Sequence, residues 1–374
     1  MVATIDITFL GTGSAQPSAT RNHQAIALRL GGEIWLFDCG EATQHQFQKS
    51  KLKMGKVSRI FITHMHGDHC FGLGPLLCSL SDNMNPNAVE SAETKTPIEI
   101  YGPSPLRSWL RTTLKSTYSN LGRSYRVHEL LHKDDPEDSN QDLHMNELPG
   151  HNIRSVEGVF ENLPYTSNYK VQAAAIEHSI PSLGYVVREP DQPGKLDGLV
   201  PTIKAQSDAL RDKGIKNPMS ILGIIQRTNE PYVLPNGHVL HPPPMRPGRS
   251  VVILGDTRDP SRIASLIDSP SLLVHEATNA LTTLDEPGTT FEQVETRALG
   301  YGHSTPQMAG AFAKRMRCKK LILTHFSARY AGDESPASLQ IMEQIRQLAL
   351  KEFDQRMDDV YCARDLWSFE IKID

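Results

Sequence analysis

Between positions 59 and 73 the chain reads RIFITHMHGDHCFGL. Three imidazoles and a carboxylate, His64, His66, Asp68 and His69, fall within six residues at the end of an apolar run. Burying four such donors on a glycine-containing turn would be very costly without an ion, so the spacing points to a bound cation. Other apolar runs stop in the same way. IFIT runs into His64, AAAIE into His178, VVILG into Asp256, LLVH into Glu276 and LILT into His325. Active sites of open α/β sheets lie just beyond the carboxyl ends of the strands. Five such endings therefore predict one site assembled from separate strand tips. With imidazole and carboxylate donors and no thiolate, zinc is favoured over manganese or iron. His64, His66, Asp68, His69, His178, Asp256 and His325 exceed the three protein ligands of a single catalytic zinc. Two ions about 3.5–4 Å apart, sharing a carboxylate, account for all seven.

The elements around these residues read as α/β. IDITFLG is a strand, and AIALRL and EIWLFD flank Gly31-Gly32 as a hairpin, because glycine accepts positive φ. Ser304-Thr305-Pro306 has the capping hydroxyls and first-turn proline of a helix start. A second helix spans 335–353, with Ile341, Ile345 and Leu348 on one face and Met342 alongside. Residues 82–96 and 132–149 are polar, carry breakers and read as loops. Residues 188–248 are Pro-rich and weakly patterned, either a projecting arm or a disordered excursion. The expected organisation is one domain over 1–374 with that arm inserted.

Composition bounds the setting. There is no signal-peptide pattern and no apolar run of the roughly 18 residues a membrane span needs. A soluble protein without membrane contact, cytoplasmic and in some settings nuclear, is expected. Five scattered cysteines form no CxxC pair and read as buried thiols. A net charge of −4 argues against nonspecific nucleic-acid coating, though local basic patches occur at 49–59 and 314–320.

THMHGDH resembles the signature of the metallo-β-lactamase superfamily. FLGTGSAQPSATRN, LFDCGEATQHQ, PIEIYGP, HSIPSLGY, GRSVVILGDT, HEAT, GHSTPQMA and LILTHFSARY narrow the likeness to the tRNase Z family, in its short form, over nearly the whole chain. That resemblance implies a four-layer αββα sandwich and a zinc-dependent endonuclease acting on precursor tRNA. One zinc is then held by His64, His66 and His178, a second by Asp68, His69 and His325, and Asp256 bridges them. Asp68 accepts a proton from the attacking water. His303 of GHST, held by Glu276 of HEAT, donates one to the leaving group. His275 is read as structural. Arg21 and Asn22 fall in the family's substrate loop, although Ala19 stands at its lysine position, which leaves discrimination of CCA ends open. Ser327 and Arg329 are further substrate contacts. The arm at 188–248 takes the place of the family's tRNA-gripping exosite, with a less basic tip, and the family forms homodimers. The competing reading is a small-molecule or terminal-phosphate hydrolase of the same fold.

Overall fold

Apolar side chains alternate along the strands with period two and so supply two separate cores. In a computed structural model, which describes residues 4–80, 96–354 and 356–373, strand Ile5–Gly11 turns Ile5, Ile7 and Phe9 to one side and Leu10 to the other. Trp35 and Phe37 likewise part from Ile34 and Leu36. The loop 82–96, save Thr96, lies outside the described residues.

Among the described residues two large sheets form. One runs, edge to edge, through Ser368–Glu370, Ile5–Gly11, Ala25–Leu30, Glu33–Phe37, Val57–Phe61, Ile98–Pro103, Tyr125–Leu131 and Glu147–Leu148, with Asn152–Arg154 also paired to Tyr125–Leu131. The other runs through Val159–Phe160, Lys170–Ile176, Ser182–Arg188, Ser250–Leu254, Leu272–Glu276, Leu321–Thr324 and Val360–Cys362. Their inner faces share one core that includes Phe9, Phe37, Phe61, Tyr185, Ile253 and Val274. Helices Leu73–Ser79 and Leu106–Ser116 cover the outside of the first sheet, and Pro306–Arg315 and Pro336–Phe353 the outside of the second. The result is a four-layer αββα sandwich.

Strand direction brings the tips together. Ser250–Leu254, Leu272–Glu276 and Leu321–Thr324 are mutually parallel, so their carboxyl ends share one edge. Lys170–Ile176 is separated from Ser250–Leu254 by one strand antiparallel to both, which restores the same direction. The first sheet joins that edge where Leu183 N donates to Thr63 O at 2.9 Å and Gly255 N donates to Leu183 O at 3.1 Å. The Gly31-Gly32 turn forms with φ of 56° and 92°, and Thr305 caps the helix at Pro306 by accepting from Met308 N.

The stretch 132–149 is held down by two buried arginines. Arg107, 0% exposed, donates to Val127 O, His151 O, Asp138 O and the Asn152 side chain. Arg111 makes a two-pronged contact with Glu147 at 2.8 Å per arm. Arg107→Ala would strand several buried carbonyls, and a loss of about 3 kcal/mol or more in unfolding free energy is expected by urea denaturation.

Residues 189–248 form a second compact unit. Helices Val200–Ala205, Ser207–Asp212 and Ser220–Thr228 and a hairpin of Tyr232–Val233 with Val239–Leu240 enclose Ile203, Leu210, Ile221, Ile225, Leu234 and Leu240. The segment is thus a folded body rather than a disordered excursion. Its weak sequence pattern reflects elements too short to show a period. Within 213–230, Ile221 and Ile225 belong to this unit's own core and Ile215, Met219 and Leu222 pack against it, while Lys204, Lys213, Lys216 and Arg227 remain exposed. No described helix is long and apolar enough to cross a membrane. All five cysteines are free.

Candidate metal centre

The turn after Val57–Phe61 is built by backbone capture of its neighbours. Asp38 ends the adjacent strand with φ 58°, a left-handed conformation that costs a non-glycine residue free energy and marks functional turns. Its carboxylate accepts from Thr63 N at 2.8 Å and from the Thr63 hydroxyl, and contacts His69 Nδ1 at 2.7 Å. Cys39 N donates to His69 O at 2.7 Å. Asp68 Oδ2 accepts from Ala15 N at 2.7 Å, so the early Gly-rich turn aims this carboxylate. His325 sits at φ 56° between strand Leu321–Thr324 and Phe326, whose N–H is tied to Thr12 O.

The seven donors converge. His64 Nε2 lies 3.1 Å from His66 Nδ1, and His178 Nε2 lies 3.3 Å from the same atom. His69 Nε2 and His325 Nε2 are 3.1 Å apart, with Asp68 Oδ2 3.3 Å from the latter. Asp256, 2% exposed, stands between the groups. Its Oδ2 is 3.7 Å from His64 and 4.0 Å from His178, while Oδ1 is 3.5 Å from His69 and 3.2 Å from His325. The donor atoms of His64, His66, His178 and Asp256 lie within 4.8 Å of one another, as do those of Asp68, His69 and His325.

The chemistry of this set fits cations. His178 Nδ1 donates to Gly302 O at 2.7 Å, and His69 Nδ1 faces Asp38, so in each ring Nε2 is left with a lone pair turned inward. Among the described residues the ion pairs of Asp256 are all with imidazoles. Burial opposes charge on His69, yet Asp256, Asp38 and Asp68 outweigh it and raise its pKa well above the ordinary value. Burial and the neighbouring His69 hold His64 well below it. The pocket wants positive charge and its crowded imidazoles cannot all carry it, a demand that metal ions meet.

Beside the cluster, His303 Nδ1 is 3.1 Å from Glu276 Oε1 and 3.7 Å from Asp256 Oδ2. Glu276 is fixed by Thr257 N at 2.7 Å and the Thr278 hydroxyl at 2.5 Å. Burial disfavours charged His303, but Glu276 and then Asp256 push its pKa up to about 9. His275 is buried, with Nδ1 donating to Glu276 O at 2.8 Å.

Arg21 does not fit a substrate contact. It is 1% exposed, and its guanidinium donates to Tyr330 O, the Thr12 hydroxyl and Ala363 O beneath the surface. Burial lowers its pKa to about 10 against the pull of Asp365. A charged side chain in this sequence loop was expected outside, but the carbonyls that satisfy it come from distant parts of the chain. Asn22 is half-buried, with Nδ2 donating to Glu41 O. Ser327 is half-buried, and exposed Arg329 pairs with Asp285 at 2.8 Å. Of the basic patches, 314–320 is largely matched by Asp354, Asp268 and Asp359, whereas Lys49, Lys51, Lys53 and Lys56 stand exposed.

Sequence reasoning missed Asp38 and Thr278 as supports. Asp38 carried the signal that found the others, a carboxylate closing the apolar run IWLF. Thr278 carried none.

Comparison with known proteins gives a consistent picture. A family model described as "Anti-Pycsar protein Apyc1" matches residues 5–144. The "Zinc phosphodiesterase ELAC protein 1" of Mus musculus is 40% identical over 342 residues, 87% of each chain. The "Ribonuclease Z" of Prochlorococcus marinus strain AS9601 is 36% identical over 377 residues, 98% of this chain and 100% of its own. The crystal structure of human tRNase Z, short form, superposes with a TM-score of 0.62 at 32% identity, covering 98% of this chain and all of that one. The metallo-β-lactamase fold protein YhfI of Bacillus subtilis, at 14% identity and TM-score 0.57, shares the fold.

Proposed function

The chain belongs to the ribonuclease Z family, and from that premise we propose that it is a zinc-dependent endoribonuclease that removes 3′ trailers from precursor tRNA. The observation that carries this reading is the arrangement of two donor groups on either side of Asp256, with the His303–Glu276 pair alongside. His64, His66 and His178 would hold one zinc and Asp68, His69 and His325 a second, with Asp256 shared. When bound, the two ions supply Lewis acidity at the phosphate oxygens and lower the pKa of water towards neutrality.

The chain's own groups do the rest. Asp68 is fixed by Ala15 N and faces the donors. Burial pushes its pKa up, but His69 and His325 outweigh that and hold it well below the usual carboxylate range. Placed there, it orients a water and takes its proton. The water oxygen bonds to phosphorus as the bond to the 3′ oxygen breaks. That oxygen leaves poorly as an alkoxide, and His303, kept protonated by Glu276, delivers its proton there. The products are a tRNA with a 3′-hydroxyl and a trailer with a 5′-phosphate. Asn22, Ser327 and Arg329 are assigned to contacts with the substrate, where the planar fork of Arg329 suits a phosphate.

The unit 189–248 is assigned to binding the tRNA away from the cut, through its exposed lysines and arginine. Its ends meet, since Gln192 and Arg246 exchange backbone hydrogen bonds at 2.8 Å, so a short linker can replace residues 193–245. That variant is expected to lose at least about tenfold in kcat/KM on precursor tRNA, as expected when several phosphate contacts are removed, and to hydrolyse bis(p-nitrophenyl) phosphate as before. Unchanged tRNA cleavage would remove the exosite role and favour a small-molecule hydrolase. Homodimerisation belongs to the same reading and is checked by sedimentation equilibrium. The compartment follows from the substrate: the cytoplasm or nucleus, where such precursors are made.

A further inference from the structure

Phe71 follows the donor turn by two residues and is 59% exposed, unusual for a ring whose burial would stabilise the fold. It is nonetheless held in place. Phe71 N donates to Gly67 O at 2.9 Å, and the ring lies against Gly67 so closely that a Cβ there would come within 2.3 Å of a ring carbon. Trp109 stacks against it, with centroids 6.5 Å apart and 24° between the planes. Gly67 separates His66 from Asp68, so the ring rests on the backbone that carries two of the donors.

A second open ring is tied to the same edge of the cluster. Tyr301, 68% exposed, precedes Gly302, whose carbonyl accepts from His178 Nδ1. Gly302 has φ 79°, and a Cβ on it would meet His178 Nδ1 at 2.7 Å. Next to these rings, His66 and Asp68 are half-buried and the side chain of His303, two residues after Tyr301, is 16% exposed, whereas His64 and His69 are 0% and 1% exposed and the His178 imidazole 1%. The open rings thus accompany the less buried side of the site.

We propose that Phe71, with Tyr301 as a second platform, stacks on a nucleobase adjoining the scissile phosphate and so positions the RNA backbone over the donors. This rests on the endoribonuclease reading above. Every base presents a π face, so stacking positions RNA whatever its sequence. Trailers of differing sequence could then be held by the same two rings. Both are positioning residues and take no part in proton transfer.

The test is a double-mutant cycle between ring and base. Precursor tRNA is compared with the same RNA made abasic at each nucleotide flanking the scissile linkage in turn. Phe71→Ala is expected to lower kcat/KM roughly 5- to 100-fold on the intact precursor, mainly through KM. On the RNA lacking the stacked base it should cause little further loss, because one contact cannot be removed twice. Phe71→Leu, which keeps apolar bulk without a π face, should behave like Phe71→Ala, and Phe71→Trp should recover to within a few-fold of wild type. If Phe71→Ala does not fold, the Leu and Trp variants carry the test. The Kd for a precursor whose scissile 3′ oxygen is replaced by a methylene group, which leaves no P–O3′ bond to break, should weaken in parallel. Additive losses from ring and base, or a Phe71→Leu enzyme equal to wild type, would overturn the proposal. So would zinc content falling in step with activity, which marks a merely structural ring. A wild-type enzyme that leaves precursor tRNA uncut defeats the underlying reading, whereas normal cleavage by both Phe71→Ala and Tyr301→Ala defeats the stacking alone.

Discussion

Asp256→Ala should reduce precursor-tRNA cleavage by about a thousandfold or more and lower the bound zinc below two ions per chain. Its two carboxylate oxygens face different donor groups, Oδ2 towards His64 and His178 and Oδ1 towards His69 and His325. Among the described residues no other carboxylate is paired with imidazoles of both groups. Asp68 approaches only His69 and His325 among the imidazoles, at 3.7 and 3.3 Å. Removing Asp256 withdraws a buried negative charge from the middle of five imidazoles, which then compete for too little compensation. Several kcal/mol of transition-state stabilisation depend on ions held in place, and each 1.4 kcal/mol is tenfold in rate. Asp256→Asn keeps the shape and discards the charge, so it should fail nearly as badly. Elemental analysis beside the rate measurement decides the matter: either variant keeping full zinc and more than a tenth of the activity would contradict the bridging role.

His303→Ala should lower kcat on precursor tRNA about 10²–10⁴-fold, the usual worth of a positioned general acid. Zinc content should stay at the wild-type level, because His64, His66, His178, Asp68, His69, His325 and Asp256 remain. The effect should depend on the leaving group. A ribose 3′ oxygen needs a proton as it departs, whereas p-nitrophenolate is stable as an anion. On bis(p-nitrophenyl) phosphate the deficit should therefore shrink to within about tenfold, as expected where the general acid has little to contribute. Glu276→Gln should show a milder version of the same pattern, since the carboxylate acts through the imidazole 3.1 Å away. Equal losses on both substrates would mean that His303 organises the site and supplies no proton.

The donor set was legible in the sequence because covalent spacing alone crowds His64, His66, Asp68 and His69, and because a polar residue closing an apolar strand is visible without coordinates. The hairpin at Gly31-Gly32 and the helix cap at Thr305 were readable for the same reason: they depend on a few neighbouring residues. Arg21 misled. Its burial follows from carbonyls at 330 and 363 that close over it, a fact no local pattern contains. The segment 188–248 was set apart by its composition, but the fold inside it escaped, because its helices are shorter than the windows in which periodicity declares itself.

Residue types and local periodicity, then, determined which side chains could bind a cation and which runs would be strands, since short-range sterics and side-chain alternation act within a few residues. Only the tertiary structure decided that His178, Asp256 and His325 meet the turn at His64–His69, because convergence depends on strand direction, register and the stacking of two sheets. It also decided which nitrogen of His69 and His178 faces inward, since Asp38 and the Gly302 carbonyl, 31 and 124 residues away in sequence, occupy the other one.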